Sequence, residues 1–183
     1  SWIDYRFPAA PQYFVGRKRL IASLIKHIIE AEWPNVIQIK SRSGVGKSSV
    51  LVLLQDKFKN DSFTELHDAR DVKSQIDFFN TIRRFTKSKD IPQNMRDVEK
   101  SLDSFVSWLN SKRGIFIVDQ FESTFYNSDV FNAYETLATF FLKFPKQLFI
   151  IFARKDDLLT TYDESSAVSL EKFNNICKQY KLD

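Results

Sequence analysis

A single cysteine, Cys177, excludes an intramolecular disulfide and leaves no set of thiolates to hold zinc. That usage fits a reducing, cytoplasmic setting. Histidine is almost as scarce, and His27 and His67, far apart in the chain, read as structural or solvated residues rather than ligands. No apolar run approaches the ~18 residues of a membrane span, and the N-terminus carries no signal-peptide pattern. Internal repeats and low-complexity tracts are missing too. The charge excess of +4, from 27 basic and 23 acidic residues, is too small to demand a polyanionic partner. Glycine is the most telling scarcity. Only 4 occur against 18 phenylalanines, so the pair Gly44 and Gly46 requires a local reason.

The 183 residues are 43% apolar and 27% charged, ordinary proportions for a globular chain. A chain of this length buries roughly 70% of its unfolded surface and needs no covalent staple. The first residue is Ser1 rather than Met, and a piece of something longer is expected. Residues 1–16, rich in aromatics and proline, read as an ordered arm leading into residues 17–183. Arg17 to Glu32 places Leu20, Ile21, Leu24, Ile25, Ile28 and Ile29 on one helical face. Pro34 ends it, and Val36 to Lys40 follows as a short apolar strand. Ser48 to Phe58 reads as a helix with Val50, Leu51, Leu53, Leu54 and Phe58 inward, and Phe63 to Leu66 as a strand. Helical spacing returns over Val72 to Phe85 (Val72, Ile76, Phe79, Ile82), Val98 to Leu109 and Phe131 to Leu142. Ile115 to Val118 and Leu148 to Phe152 are fully apolar strands. A weaker strand is expected at Ala167 to Leu170, with a last helix from Glu171. Apolar strands alternating with amphipathic helices predict an α/β fold, a three-layer α-β-α sandwich around a mostly parallel sheet. A ligand then belongs beyond the carboxyl ends of the strands.

The segment Ser41-Arg42-Ser43-Gly44-Val45-Gly46-Lys47-Ser48-Ser49 lies between an apolar strand and an amphipathic helix. That is the setting of a phosphate-binding loop, in which backbone N–H groups curl around phosphates and glycine permits their close approach. The helix N-terminus adds partial positive charge. Ser43, Gly44, Val45, Gly46, Lys47, Ser48 and Ser49 are thus the expected nucleotide-binding residues, with Lys47 on the outer phosphates and Ser48 on Mg²⁺. Ser41 stands where such loops usually begin with glycine, and a positive φ there would cost it roughly 1 kcal/mol.

Ile115-Phe116-Ile117-Val118-Asp119 fits a Walker B strand, which carries a carboxylate to the metal. Ser48 and Asp119 are therefore the expected metal ligands. Gln120 follows where many ATPases place a catalytic glutamate, so Glu122 is the candidate to orient or deprotonate the attacking water. Its alternative is a solvated residue opening the next helix. Arg154, beyond the fourth strand, is the candidate sensor of the γ-phosphate, since a guanidinium forks onto phosphate oxygens. Its alternative is a surface residue in a basic turn. Arg83-Arg84-Phe85-Thr86-Lys87-Ser88-Lys89 mixes basic and aromatic residues, as nucleic-acid contacts can. A helix end with a solvated basic face is the preferred reading.

Phe14-Val15-Gly16-Arg17, the phosphate loop, Val118-Asp119-Gln120-Phe121-Glu122 and Arg154-Lys155-Asp156, in that order, resemble the STAND NTPases. The chain is most similar to their bacterial branch, with an FVGR-type opening motif and a DQFE-type Walker B, over about Tyr13 to Leu159. The resemblance implies an ATP/ADP switch that hydrolyses slowly, oligomerises in its ATP state and activates a linked effector in signalling or antiviral defence. It implies that Val15, Gly16 and Arg17 pack against adenine and ribose, and that Glu122 is the displaced acidic residue. Ser123 stands where a second glutamate often follows. The family's lid and winged-helix modules do not fit after Leu159, so linked sensor and effector domains are expected in a longer parent chain. Two other functions compete. One is an AAA+ initiator-like ATPase acting on nucleic acid, and the other is a scaffold that keeps nucleotide without hydrolysing it.

Overall fold

The computed structural model describes residues 9–42, 44–156 and 167–182, with the backbone alone over 9–15. Helix α1 spans Ala9–Ile29 and β1 spans Val36–Ser41, followed by α2, Lys47–Phe58. Strand β2 (Ser62–Asp68) precedes α3 (Gln75–Thr86) and α4 (Met95–Leu109). Then come β3 (Arg113–Asp119), α5 (Ser128–Phe141), β4 (Leu148–Lys155), α6 (Glu171–Ile176) and β5 (Lys178–Leu182). The five strands form one sheet in the order β2-β3-β4-β1-β5. Every neighbouring pair is parallel, so the expected three-layer sandwich holds.

Strand alternation feeds two cores, because successive side chains leave a strand on opposite faces. On one face Ile37, Ile39, Ile115, Ile117, Phe149 and Ile151 pack beneath Leu20, Leu24 and Ile28 of α1 and Val50, Leu51, Leu54 and Phe58 of α2. On the other, Val36, Phe116, Val118, Leu148, Ile150 and Phe152 meet α3 through α6. That second core is where the phenylalanines go. Phe78, Phe79, Phe85, Phe105, Phe121, Phe125, Phe131, Phe141 and Phe173 all lie in it, with Tyr134.

Local signals explain the helix starts on the aromatic face. Ser74 accepts from the Asp77 N–H and Asn94 from the Asp97 N–H. Asn127 likewise accepts from the Val130 N–H. Each such cap contributes about 1 kcal/mol.

Several expectations need correction. Residues 9–16 do not form an arm. They are the opening of α1, because Pro11 falls in the first turn, where the missing N–H has no intrahelical partner to lose. The expected inward faces of α2 and α3 were too wide: Leu53 and Ile76 are exposed. Residues 167–170 form no strand. The fifth strand is instead Lys178–Leu182, a polar segment whose side chains are mostly exposed at the sheet edge beside β1. Strand β4 runs on through Arg154 to Lys155, beyond its expected end at Phe152, which removes the alternative of a surface residue in a basic turn. Among the described residues, no helix is long and apolar enough to cross a membrane.

Candidate functional site

Strands β1, β4 and β3 lie side by side, so their carboxyl ends bring Ser41, Arg154 and Asp119 to one rim of the sheet. From β1 the chain turns into α2 through Gly44 (φ 79) and Gly46 (φ 83). These left-handed conformations are easy for glycine alone, which accounts for the use of the scarce residue. Gly46 is the N-cap of α2; no side chain caps the helix, and its first turn holds no acidic residue. The positive end of α2 is thus open to an anion. An added Cβ at Gly44 would meet nothing within 4 Å. Val45 packs against the aliphatic core and fixes the loop from below. Ser49 donates to the Gly46 carbonyl at 2.7 Å. Ser43 lies outside the described residues.

Two residues of α2 converge on one carboxylate. The Lys47 ammonium, buried to 6% exposure, lies 2.5 Å from Asp119 Oδ1. Ser48 Oγ donates to Asp119 Oδ2 at 2.7 Å. Gln120, in a left-handed conformation with φ 55, turns its N–H back onto Asp119 Oδ1 at 2.8 Å. A lysine ammonium carries three donors, so phosphate oxygens can still be served beside Asp119. A hydroxyl and a carboxylate in contact are the sparse ligand set that Mg²⁺ takes when phosphates and water complete its shell. These residues therefore fit a magnesium nucleotide. Among the described residues no group of three or more His, Cys, Asp or Glu could hold a metal by itself.

Glu122 and Arg154 form a second cluster. Glu122 sits in a 3-10 turn, Phe121–Thr124, and is buried, which removes its alternative as a solvated residue. Its Oε1 accepts from the Lys155 N–H at 2.9 Å. Arg154 is buried as well. Its Nε donates to Gln38 Oε1 at 2.6 Å, and its Nη1 approaches Asp156 Oδ1 at 3.5 Å. The guanidinium lies over the Phe125 ring, 5.6 Å from the centroid. Burial lowers its pKa from the usual guanidinium value, and Asp156 and Glu122 oppose that shift. Gln38 continues the chain of contacts, donating to Asn174 of α6 at 2.9 Å. Among the described residues no hydrogen bond or ion pair joins Glu122 or Arg154 to Lys47, Ser48 or Asp119. Gln38 and the Lys155 N–H escaped the sequence reading. The available signal for Gln38 was a lone polar residue inside an apolar strand.

Ser41 does not carry the expected strain. It is the last residue of β1, in strand register with Lys155, and is buried. Its carbonyl accepts from the Asp156 N–H, which ties the loop's start to the end of β4. Among the described residues its hydroxyl finds no hydrogen-bond partner. Gly16 and Arg17 are half-buried on α1, and among the described residues an added Cβ at Gly16 would meet nothing within 4 Å. The Val15 side chain lies outside the described residues. One further group was missed. Asp68 ends β2 in register with Asp119 and receives Arg70 through its N–H at 2.8 Å and Nη2 at 2.6 Å. Burial works against its ionisation, but the Arg70 bonds outweigh burial and lower the pKa.

The model of one family, Novel STAND NTPase 1, matches residues 5–177. No curated protein matches. Among solved structures, Drosophila ORC bound to DNA superposes with a TM-score of 0.60 at 15% identity, over 87% of this chain and 41% of that one. Cdc6p from Pyrobaculum aerophilum gives 0.57 at 15% identity, covering 100% of this chain and 47% of that one. The Aeropyrum pernix ORC1 protein in complex with DNA gives 0.56 at 10% identity, covering 92% and 44% respectively. At these identities the likeness is one of fold, and this chain spans less than half the length of each of the three.

Proposed function

This chain belongs to the Novel STAND NTPase 1 family, and from that premise we propose that it is an ATP-binding switch domain that hydrolyses slowly. In this reading its nucleotide state governs self-association and a linked effector in signalling or defence. The observation that carries the proposal is the convergence of Lys47 and Ser48 on Asp119 beneath an uncapped helix N-terminus. Lys47 and the N–H groups opening α2 bind the phosphates, while Ser48 and Asp119 hold the magnesium ion. That ion supplies neutralisation of the charge that builds on the phosphate oxygens. Val15, Gly16 and Arg17 border the base and ribose. Glu122, fixed by the Lys155 N–H, orients the attacking water. Arg154 reads the γ-phosphate. Its contacts to Gln38 and, through Gln38, to Asn174 give that event a route to α6 and the outer strand β5.

Phosphate release by wild type and Glu122→Gln tests the assignment. Slow turnover in wild type, with ATP still bound but turnover lost in Glu122→Gln, supports it. Unchanged turnover removes the role of Glu122, and no turnover in wild type favours a nucleotide-stabilised scaffold. The DNA-bound ORC neighbours favour a second reading, an initiator-like ATPase acting on nucleic acid. ATP-dependent duplex binding that falls steeply with salt distinguishes it from the switch.

A further inference from the structure

At the amino end of β2, away from the phosphate rim, a groove of about 450 Å³ is lined by Phe63, Gln55, Lys59, Lys87 and Lys112. Lys112 Nζ lies 5.2 Å and Lys87 Nζ 5.9 Å from the Phe63 ring centroid, so two ammonium groups gather over one ring. Among the described residues neither lysine has a carboxylate within ion-pair distance. Of the acids, Asp56, which also lines the groove, pairs with Lys59, and Asp61 pairs with Arg113; Asp90 lies on the adjoining surface beside Lys89 and Ser101. Lys87 is placed there by a left-handed C-cap conformation, φ 57, that glycine would adopt more cheaply. Beside the lysines, Trp108 stacks on Phe105 and tilts against Phe63 at 4.6 Å, yet remains 55% exposed. Lys89, Ser101 and Ser104 extend the surface past Trp108.

We propose that this groove and the surface adjoining it bind single-stranded nucleic acid, with a base against the exposed indole of Trp108, which lines the adjoining cavity together with Lys87, and phosphates between Lys87 and Lys112. Unpaired ammonium groups flanking an exposed aromatic platform supply the two interactions such a strand requires, backbone neutralisation and sequence-tolerant stacking. Both lysines lie over Phe63, the ring against which Trp108 tilts, so their charges sit beside the stacking platform. The site is separate from the phosphate loop and does not depend on how that loop is read.

Fluorescence anisotropy of a labelled oligo(dT) of about 20 nucleotides tests it, using the whole chain, Trp108→Ala and the double variant Lys87→Gln/Lys112→Gln. The expected result is binding that weakens with salt, falls about tenfold in Trp108→Ala, and in the double variant loses about 1.4 units of salt slope as well. Unfolding midpoints near wild type show that these surface changes leave the fold intact, and Trp108→Phe, which keeps a ring, restores most of the affinity. No binding by wild type, or equal binding by folded variants, overturns the proposal. Displacement of the oligonucleotide by polyglutamate at equal charge concentration also overturns it, since the groove would then serve an acidic polypeptide.

Discussion

The two faces of the sheet are built differently. The face under α1 and α2 is almost entirely aliphatic, with Phe58 and Phe149 its buried aromatic rings. The face under α3 to α6 is a network of rings in which Phe121 meets Phe125, Phe131, Tyr134, Phe152 and Phe173. The phosphate loop grows from the aliphatic side, where α2 needs only a smooth bed. Glu122 and Arg154 belong to the aromatic side. Phe121 and Phe125 flank Glu122 in sequence and are fixed in the ring network, and Arg154 lies over Phe125. The loop with Lys47 and the Glu122–Arg154 cluster are thus supported by separate cores.

The largest effect that would test this division is Phe121→Ala. Losing the hub of the ring network is expected to cost about 4 kcal/mol, with aromatic pair energies added to the cavity. Leu54→Ala on the opposite face costs about 3 kcal/mol. Urea unfolding measures both. A larger loss for Leu54→Ala would remove the aromatic core from its leading role.

Next in size is a pH effect confined to the aromatic face. His67 bonds to the Tyr134 hydroxyl at 2.7 Å, and burial, then the charge of Arg84, lowers its pKa from 6.5 to about 4. The folded protein keeps it neutral while the unfolded chain takes up a proton. Its contribution is complete above pH ~6.5 and is lost as pH falls towards ~4, on the order of 3 kcal/mol. His67→Gln should flatten the wild-type slope between those values. An unchanged slope would place the acid sensitivity elsewhere.

The smallest effect concerns Ser41, at the aliphatic-side root of the loop. Its buried hydroxyl has no partner, so Ser41→Ala is expected to stabilise by about 1 kcal/mol. Ser41→Gly, which loses the same hydroxyl, should be about 1 kcal/mol less stable than Ser41→Ala through strand entropy, without improving nucleotide affinity. Tighter ATP binding by Ser41→Gly would revive the idea of a strained loop.

The parts legible in sequence were those whose signal is local. Val36 to Lys40, Ile115 to Val118 and Leu148 to Phe152 are buried on both faces and announce themselves as apolar runs, and the loop's glycines and Lys47-Ser48 stand beside them. Val98, Leu102, Phe105 and Leu109 line the buried face of α4 as their spacing requires. What escaped depends on distant partners or on exposure. Strand β5 is polar because it forms an edge, so no hydrophobic pattern marks it. The burial of Arg154 depends on Gln38, 116 residues away. The lysine groove assembles residues from the ends of α2, α3 and α4 around Phe63, a proximity that no stretch of sequence displays.

The most direct test of the central claim is calorimetric titration of Mg-ATP into wild type and Lys47→Ala. The account predicts saturable binding by wild type and a loss of at least about a hundredfold in the variant, near 2.7 kcal/mol, with the unfolding midpoint showing that both are folded. Equal affinity in the two proteins, or no binding by wild type at millimolar ATP, would contradict it.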